Sequence, residues 1–283
     1  MELPRLGFVG WLGPDALDAL RSSGRAMIAA IADPSERVRS AACLALPEAD
    51  AVPSLERLVD LDLDAVVIAA PSAFSAFQAM VVLEQGLSVF CPLPIGRSAR
   101  EATNVIEAAE RRNRRMGVDR NLRHSSALQE ALSSLGELGQ LSRIDIELIS
   151  ADRACGLALV DAVACLLRGL RIESARASYD RSDIELDCED GIIAHVACMS
   201  TSEELSTIRV EVQGTQGQLE LESHAEPRGG RALIEWTKRL ARNPHFSADE
   251  VDGVVETASI LDTVYRAPAP AELLSPSLRT ATA

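Results

Sequence analysis

The most constraining feature of this chain is its opening β-α-β pattern, which covers residues 5–33. A short apolar strand over 5–9 runs into Gly10, a helical segment follows, and a second apolar strand over 27–32 ends at Asp33. A glycine after the first strand and an acidic residue about 20 positions later are typical of folds that bind a dinucleotide. The pattern predicts a parallel sheet with Gly10 at a phosphate turn and Asp33 beside ribose hydroxyls.

The phosphate turn itself departs from the glycine pattern of such folds. Gly10 and Gly13 are glycines, but the G-x-G-x-x-G pattern also requires glycine where this chain has Leu12 and Asp15. A Cβ at Leu12 keeps the backbone away from a pyrophosphate, and the carboxylate of Asp15 repels it. Trp11 is interpreted either as filling the nicotinamide–ribose space or as packing on the first helix. The architecture is predicted to be intact, and binding of NAD or NADP is left as a question.

Charge and composition disfavour several classes of partner and cofactor. A formal net charge of −14 disfavours binding to nucleic acid and to anionic membranes. No apolar run is long enough to span a bilayer and no signal sequence is recognisable, so we expect a cytoplasmic protein. The six cysteines include no C-x-x-C pair, which is typical of reduced thiols, and none of the four histidines has the spacing of a metal pair. We therefore predict no metal cofactor.

Up to about residue 120 the chain alternates between strands and helices. Further strands are predicted at 64–71, 87–91 and 117–119, and helices at 34–46, 55–59, 72–85 and 98–115. Continuous apolar strands separated by helices indicate a parallel sheet buried on both faces. Residues 1–120 are therefore predicted to form a Rossmann-like α/β domain.

After residue 120 the hydrophobic period changes to two, which indicates strands with one buried face. Strands are predicted at 142–148, 184–186, 192–198, 208–213 and 218–222, with a further one at 233–236, and helices at 126–135, 159–167 and 248–265. The glycines of 214–217 predict a hairpin turn. Residues 121–270 are predicted to form an α+β domain with an open, mostly antiparallel sheet for substrate binding and dimerisation, and 271–283 a flexible tail.

Four phrases in this order resemble one known family. They are the strand at 65–71, Leu83-Glu84-Gln85-Gly86-Leu87-Ser88-Val89, Gly136-Glu137-Leu138-Gly139 and Val212-Gln213-Gly214-Thr215-Gln216-Gly217. Together they resemble the glucose–fructose oxidoreductase/inositol dehydrogenase (Gfo/Idh/MocA) family along nearly the whole chain. The resemblance implies an NAD(P)-binding first domain, a C-terminal sheet that often forms a dimer, and hydride transfer at a carbonyl, alcohol or imine of a small molecule in the interdomain cleft.

At the positions that usually perform this chemistry, the chain departs from the family pattern. The family's glutamate-lysine-proline signature falls on residues 92–94, so Leu93 replaces the lysine that donates the proton. The family's aspartate-x-x-x-histidine pair falls on Asp161 and Cys165, and Ser75 stands where a histidine is often found. Losing one acid or base typically removes about 10²–10⁴ in rate. Lys238, the single lysine, is the sole candidate for lysine chemistry.

Each candidate residue also has an ordinary structural interpretation. Asp33 either binds the ribose or caps a turn, and Arg37 either binds a 2′-phosphate or is a solvated helix residue. The remaining candidates are Arg123 and His124 for substrate contacts, Asp161 and Cys165 for catalysis, and Pro71, Ser75 and Pro94 along the cofactor. We interpret Cys165 as a buried, inert thiol and His195 as a sheet-surface residue.

Three functions remain open from the sequence. The first is an atypical NAD(P)-dependent oxidoreductase that reduces an imine or carbonyl with Asp161, His124 or water as proton source. The second is a non-catalytic pseudoenzyme that pairs with an active homologue through its C-terminal sheet; in general we expect a homodimer or heteromer through that sheet. The third is a cofactor-independent cyclase, lyase or isomerase of secondary metabolism. The degenerate turn favours the second and third functions, whereas Asp33 favours the first.

Overall fold

The computed structural model describes residues 2–10, 14–69, 74–150, 156–167, 171–178, 182–201, 206–224 and 230–266. Its first six strands are β1 (Arg5–Val9), β2 (Met27–Ala32), β3 (Asp50–Val52), β4 (Ala65–Ile68), β5 (Ser88–Cys91) and β6 (Met116–Val118). The helices between them are α1 (Pro14–Ser23), α2 (Glu36–Ala45), α3 (Leu55–Val59), α4 (Ser75–Glu84) and α5 (Ala99–Arg112).

The later strands are β7 (Leu141–Ser150), β8 (Ile172–Ala177), β9 (Asp183–Cys188), β10 (Ile193–Ser200), β11 (Thr207–Gly214) and β12 (Gly217–His224). The later helices are α6 (Ser126–Ser134), α7 (Gly156–Leu167), α8 (Arg231–Arg242) and α9 (Val254–Arg266). Short 3₁₀ turns occupy Asn121–His124, Leu135–Glu137, Glu189–Gly191 and Ala248–Glu250.

The first sheet is parallel throughout, with the strand order β3-β2-β1-β4-β5-β6. All four residues of β4 are buried, as expected for a strand covered on both faces. Helix α8 joins this core, because Trp236 packs on Phe90 with ring centroids 5.4 Å apart. A Cβ on Gly117 would lie 2.3 Å from the Trp236 side chain, so the close approach of this helix requires glycine there. The predicted parallel sheet is confirmed.

The second sheet is mixed, with the order β12-β11-β7-β10-β9-β8. Only β7 and β10 pair in parallel, and the four other described pairings are antiparallel. Buried and half-buried residues alternate along β9, and the buried ones join a core built with α6, α7 and α9. One face of the sheet is therefore covered by helices, as the period-two pattern predicted.

The chain divides into two compact units, and each unit is built from two separate segments of the sequence. The first contains residues 1–121 and 227–255, and the second contains 122–226 and 256–283. The end of the first segment lies next to the predicted boundary at 120, while residues 227–255 return to the first unit. The predicted tail, 271–283, lies outside the described residues.

Several predicted elements differ from the structure. The strand predicted at 233–236 is wrong, because Leu233, Trp236 and Leu240 lie on one buried face of helix α8. Strands β3 and β8 were not predicted, since one is very short and the other mixes charged with apolar residues. The helix predicted at 248–265 is divided into a 3₁₀ segment that ends at Glu250 and helix α9, and Gly253, with a φ of +71°, directly precedes α9.

Candidate functional site

Gly10 and Asp33 stand side by side where β1 and β2 end. The pairing of Val9 with Ala32 aligns the two strands, and the Gly10 amide donates a hydrogen bond to the Ala32 carbonyl at 2.9 Å. Gly10 has a φ of +82°, a left-handed conformation that favours glycine. Gly10 therefore ends β1 in a conformation that a residue with a side chain rarely adopts. The predicted turn residues Trp11, Leu12 and Gly13 lie outside the described residues.

Asp33 fits both of its interpretations at once. Its Oδ1 accepts a hydrogen bond from the Ser35 amide at 2.8 Å, so one oxygen holds the turn. The Arg39 guanidinium donates to the carbonyls of Asp33 and Pro34 at 2.8 and 2.9 Å and fixes the same turn. Within the described part of the chain Oδ2 has no hydrogen-bond partner and can accept a ribose hydroxyl. Arg37 is exposed on α2 beyond this turn.

Ser75 and Leu93 replace the polar groups that the resemblance places along the cofactor. The buried Ser75 hydroxyl donates to the Pro94 carbonyl at 3.4 Å and accepts from the Gly96 amide at 3.2 Å, so it ties α4 to the loop after β5. Leu93 is 7% exposed and apolar, so no proton donor stands at this position. Burial raises the pKa of the nearby Cys91 thiol to about 12, which keeps it protonated and inert. Pro71 lies outside the described residues.

Arg123 and Asp161 form a bidentate ion pair within the second unit. Arg123 Nε and Nη2 donate to the two Asp161 oxygens at 2.6 and 2.7 Å. Thr257 Oγ1 donates to the same carboxylate at 3.1 Å, and the Asp161 side chain is 2% exposed. The carboxylate is occupied as an acceptor, and its main effect is to fix the guanidinium, which is 25% exposed. Two of the four predicted catalytic residues are thereby brought together, and Thr257, 96 residues away, was missed.

His124 and Cys165 occupy other surroundings. His124 ends a 3₁₀ turn and lines a shallow cleft of about 550 Å³, together with Ser125, Ser126, Thr207, Glu222, Ser223 and His224. The Ser223 hydroxyl in this cleft accepts from the Ala127 amide at the start of α6. Cys165 lies half-buried on α7, one turn after Asp161, so the prediction of a buried thiol is wrong. The cleft is rich in hydroxyl and imidazole groups, and His224 was not among the predicted site residues.

His195 lies on the outward face of the second sheet between two carboxylates. Its Nε2 is 3.0 Å from Asp183 Oδ1, and its Nδ1 is 3.5 Å from Asp145 Oδ1. Hydrogen bonds to Asp145 and Asp183 raise the pKa of His195 to about 9, so it is charged at neutral pH. Burial alone would raise the pKa of Asp145, but hydrogen bonds from His195 and Arg143 lower it. The prediction of a sheet-surface histidine is confirmed.

No cluster of three His, Cys, Asp or Glu side chains among the described residues is arranged to hold a metal ion. No helix in the described ranges combines the length and the apolar character needed to cross a bilayer.

Comparison with known proteins assigns the first domain. Residues 5–120 match the GFO_IDH_MocA model, described as an oxidoreductase family with an NAD-binding Rossmann fold. Over 142 residues the chain is 32% identical to inositol 2-dehydrogenase of Leifsonia xyli subsp. xyli (strain CTCB07), a match that covers 48% of this chain and 41% of that enzyme.

Solved structures share the fold of the whole chain. The WlbA dehydrogenase of Bordetella pertussis, in complex with NADH and UDP-GlcNAcA, is 18% identical with a TM-score of 0.75, over 96% of this chain and 100% of that one. The 3-ketoreductase KijD10 of Actinomadura kijaniata is 15% identical with a TM-score of 0.75, over 95% and 98% of the two chains. Such low identities establish the fold alone. The match of residues 5–120 to the family model and the similarity to an inositol 2-dehydrogenase support membership of the Gfo/Idh/MocA family, whose model describes an NAD-binding Rossmann fold.

Proposed function

We propose that the protein binds NAD(H) or NADP(H) in its first unit and reduces an imine or carbonyl of a small metabolite. The observation that carries this proposal is the pair of Gly10 and Asp33 at adjacent strand ends. The left-handed turn at Gly10 suits a pyrophosphate, and the remaining acceptor on Asp33 suits a ribose diol. Both features survive although the glycine pattern around them is degenerate.

The residues present fit a nicotinamide dinucleotide at the adenosine end. Gly10 and Asp33 would hold it there, and the segment of Ser75 and Pro94 would border its reactive end, as the family resemblance implies. When bound, the cofactor supplies the hydride. In the second unit, Asp161 keeps the partly exposed Arg123 guanidinium oriented, and this cation would contact an oxygen or anionic group of the substrate.

The proton supply decides which substrates are suitable. Leu93 cannot donate a proton, the Cys91 thiol is held protonated, and both Asp161 oxygens are engaged by Arg123. An imine is basic enough to collect a proton from water, whereas a ketone needs a positioned acid. We therefore propose that the substrate is an imine or another strongly electrophilic group, with water as proton source.

Nucleotide binding tests the proposal directly. Thermal unfolding with NADH and with NADPH should show a stabilisation of about 2.7 kcal/mol at a hundredfold excess over the dissociation constant. Asp33→Ala should abolish most of this shift, and Asp50→Ala, an exposed carboxylate on the neighbouring strand, should leave it unchanged. A preference for NADPH that Arg37→Ala removes would assign that residue to a 2′-phosphate. An unchanged melting temperature at millimolar nucleotide would contradict the proposal and direct attention to cofactor-independent chemistry.

A second candidate function is that of a non-catalytic family member. It is favoured by the buried Leu93 and by the saturated Asp161 carboxylate, because both remove proton transfer from positions where the family uses it. Nucleotide binding without oxidation of NADH by any of a panel of cyclic imines and ketones would select this candidate. In either case we propose a cytoplasmic location, because the five described cysteines are thiols rather than disulfides.

A further inference from the structure

The first unit has a cleft at the edge of its sheet where β1 and β2 begin. The cleft has a volume of about 590 Å³, and its walls come from three segments: the residues before β1, the turn between α1 and β2, and the later turns of α8. Gly10 and Asp33 follow the opposite ends of the same two strands. The length of β1, on the order of 15 Å, therefore separates this cleft from the proposed cofactor edge.

The balance of charge in this cleft is opposite to that of the whole chain. Four cations line it, against two carboxylates: Arg25, Lys238, Arg239 and Arg242, and Glu2 and Glu235. In the whole chain, 28 lysines and arginines stand against 42 acidic residues. A cleft lined mainly by one sign of charge concentrates ligands of the opposite sign. An acidic protein has thus gathered an excess of cations at one concave place.

Much of this positive charge is not paired within the cleft. Lys238 Nζ donates to Glu235 Oε1 at 2.5 Å, and this hydrogen bond lowers the pKa of Glu235 and keeps it ionised. An ammonium group has three N–H donors, so this contact uses one of them. Arg239 reaches Glu250 at 3.4 Å and stays largely exposed. Among the described residues, the guanidiniums of Arg25 and Arg242 have no hydrogen-bond or ion-pair partner.

A structural role at the end of α8 accounts for only part of this cluster. Arg239 and Arg242 lie in the last turn of the helix, where cations compensate the helix dipole. Arg25 belongs to the turn before β2, so the same explanation does not apply to it. Its position in one cleft with Lys238 and Arg242 adds electrostatic repulsion, which a bound anion would relieve.

The walls of the cleft also offer an apolar surface and open space. Leu3 is 50% exposed, although it is a large apolar side chain. A Cβ added to Gly24 would meet no atom within 4 Å, so the space in front of this residue is free. The volume lies within the range of about 300–1,000 Å³ that is usual for small-molecule sites. The cleft is therefore suited to an organic molecule that carries an anionic group.

We propose that this cleft binds the phosphate group of a small organic metabolite, with Arg25, Arg242 and Lys238 as donors and Leu3 against the organic part. Guanidinium binds phosphate through its planar fork, and ammonium binds it as a point charge. Four cations less two carboxylates leave a charge of +2, which matches a phosphate dianion. The proposal does not depend on nucleotide binding, because Gly10 and Asp33 lie at the other edge of the sheet.

Calorimetric titration of the full chain with phenyl phosphate tests the proposal. Benzyl alcohol, which lacks the phosphate, should not bind, and inorganic phosphate should bind more weakly because it makes no contact with Leu3. The double variant Arg25→Gln/Arg242→Gln should weaken the binding of phenyl phosphate at least about tenfold. Its matched control, Arg57→Gln/Arg100→Gln, removes two exposed guanidiniums from α3 and α5 and should change binding less than about twofold.

A measurement on the wild-type chain makes the outcome independent of variant folding. Lys238 is the single lysine, so its acylation by acetic anhydride can be followed at one position by mass spectrometry. Phenyl phosphate should slow this acylation several-fold, and benzyl alcohol should leave it unchanged.

Three results would overturn the proposal. They are the absence of phenyl phosphate binding, binding that leaves Lys238 unprotected, and equal weakening by both double variants, which would indicate general attraction of anions to arginines. Equal affinity for inorganic and phenyl phosphate would overturn the contact of Leu3 with an organic part and assign the cleft to free phosphate.

Discussion

The two sheets of this molecule bury different numbers of faces, and the difference determines where polar groups can stand. In β4 every side chain is buried, whereas in β9 buried and half-buried positions alternate. A strand covered on both faces leaves room for polar groups mainly at its ends. In the first sheet, Gly10 and Asp33 lie at the ends of β1 and β2. A strand covered on one face exposes every second residue, and the second sheet uses these positions for charges. The first unit thus concentrates its chemistry at an edge, and the second distributes it over a surface.

The largest expected effect tests whether the two-sided burial of the first sheet depends on the returning helix α8. Trp236 is 4% exposed and packs on Phe90. Trp236→Ala should therefore lower the free energy of unfolding by about 3–5 kcal/mol, measured by urea denaturation. Arg242→Ala, at an exposed position of the same helix, should change it by less than about 0.5 kcal/mol. A loss below about 1 kcal/mol for the tryptophan variant would show that the sheet does not depend on α8.

The next effect concerns the ion pair of Arg123 with the buried Asp161 carboxylate in the second unit. Arg123→Ala removes the bidentate guanidinium from the buried Asp161 carboxylate, so we expect a loss of about 3 kcal/mol in unfolding free energy. Thr257→Val removes one neutral donor and should cost about 1 kcal/mol. Denaturation curves of both variants check the order. If the two losses are equal, the ion pair is not the group that fixes this site.

A smaller effect is expected at the second sheet, where the contribution of His195 to the free energy of unfolding depends on pH. The pKa of His195 is raised to about 9 in the folded protein from 6.5, so its contribution is complete below the lower value and is lost as the pH rises through about 9. Because the imidazole is partly exposed, we expect a loss of about 1–2 kcal/mol over that window. Melting temperatures of wild type and His195→Asn should converge at alkaline pH. A constant difference between them would refute this assignment.

The smallest effect has the opposite sign. Glu211 faces Glu220 and Asp145 across its two neighbouring strands, so Glu211→Gln should increase stability by about 0.2–1 kcal/mol. The control variant is Glu107→Gln, which removes an exposed carboxylate from α5, away from these three residues. A decrease in melting temperature for Glu211→Gln would mean that the hydrogen bond from Gln213 outweighs the repulsion.

The elements that were predicted from the sequence share a simple local signal. Strand β4 is an uninterrupted apolar run, and β9, β11 and β12 alternate with period two, so their burial can be read from neighbouring residues. Helix α8 was mistaken for a strand over 233–236 because its buried residues are spaced over several turns, and only packing on the first sheet identifies its inner face. Strand β3 is three residues long and gives no periodic signal.

The candidate site divides in the same way. Gly10 and Asp33 are recognisable because a strand must end before a turn, and a turn of that kind needs a left-handed residue. Arg123 and Asp161 are 38 positions apart in the chain, and Thr257 lies 96 positions after Asp161. No local pattern encodes these contacts. The sequence predicted Asp161 as a catalytic residue, and the structure shows its oxygens engaged by Arg123 and Thr257.

The amino-acid order by itself determined the two-part architecture, the nucleotide-type strand ends and the presence of Leu93 and Cys165 where the resemblance implies a lysine and a histidine, because these depend on residue type and on spacing along one segment. The tertiary structure alone decided that residues 227–255 complete the first unit, that Asp161 is bound to Arg123, and that Glu220, Glu211 and Asp145 form one row. The physical reason is that burial, ion pairing and cross-strand repulsion depend on distances between atoms that the chain brings together only when it folds.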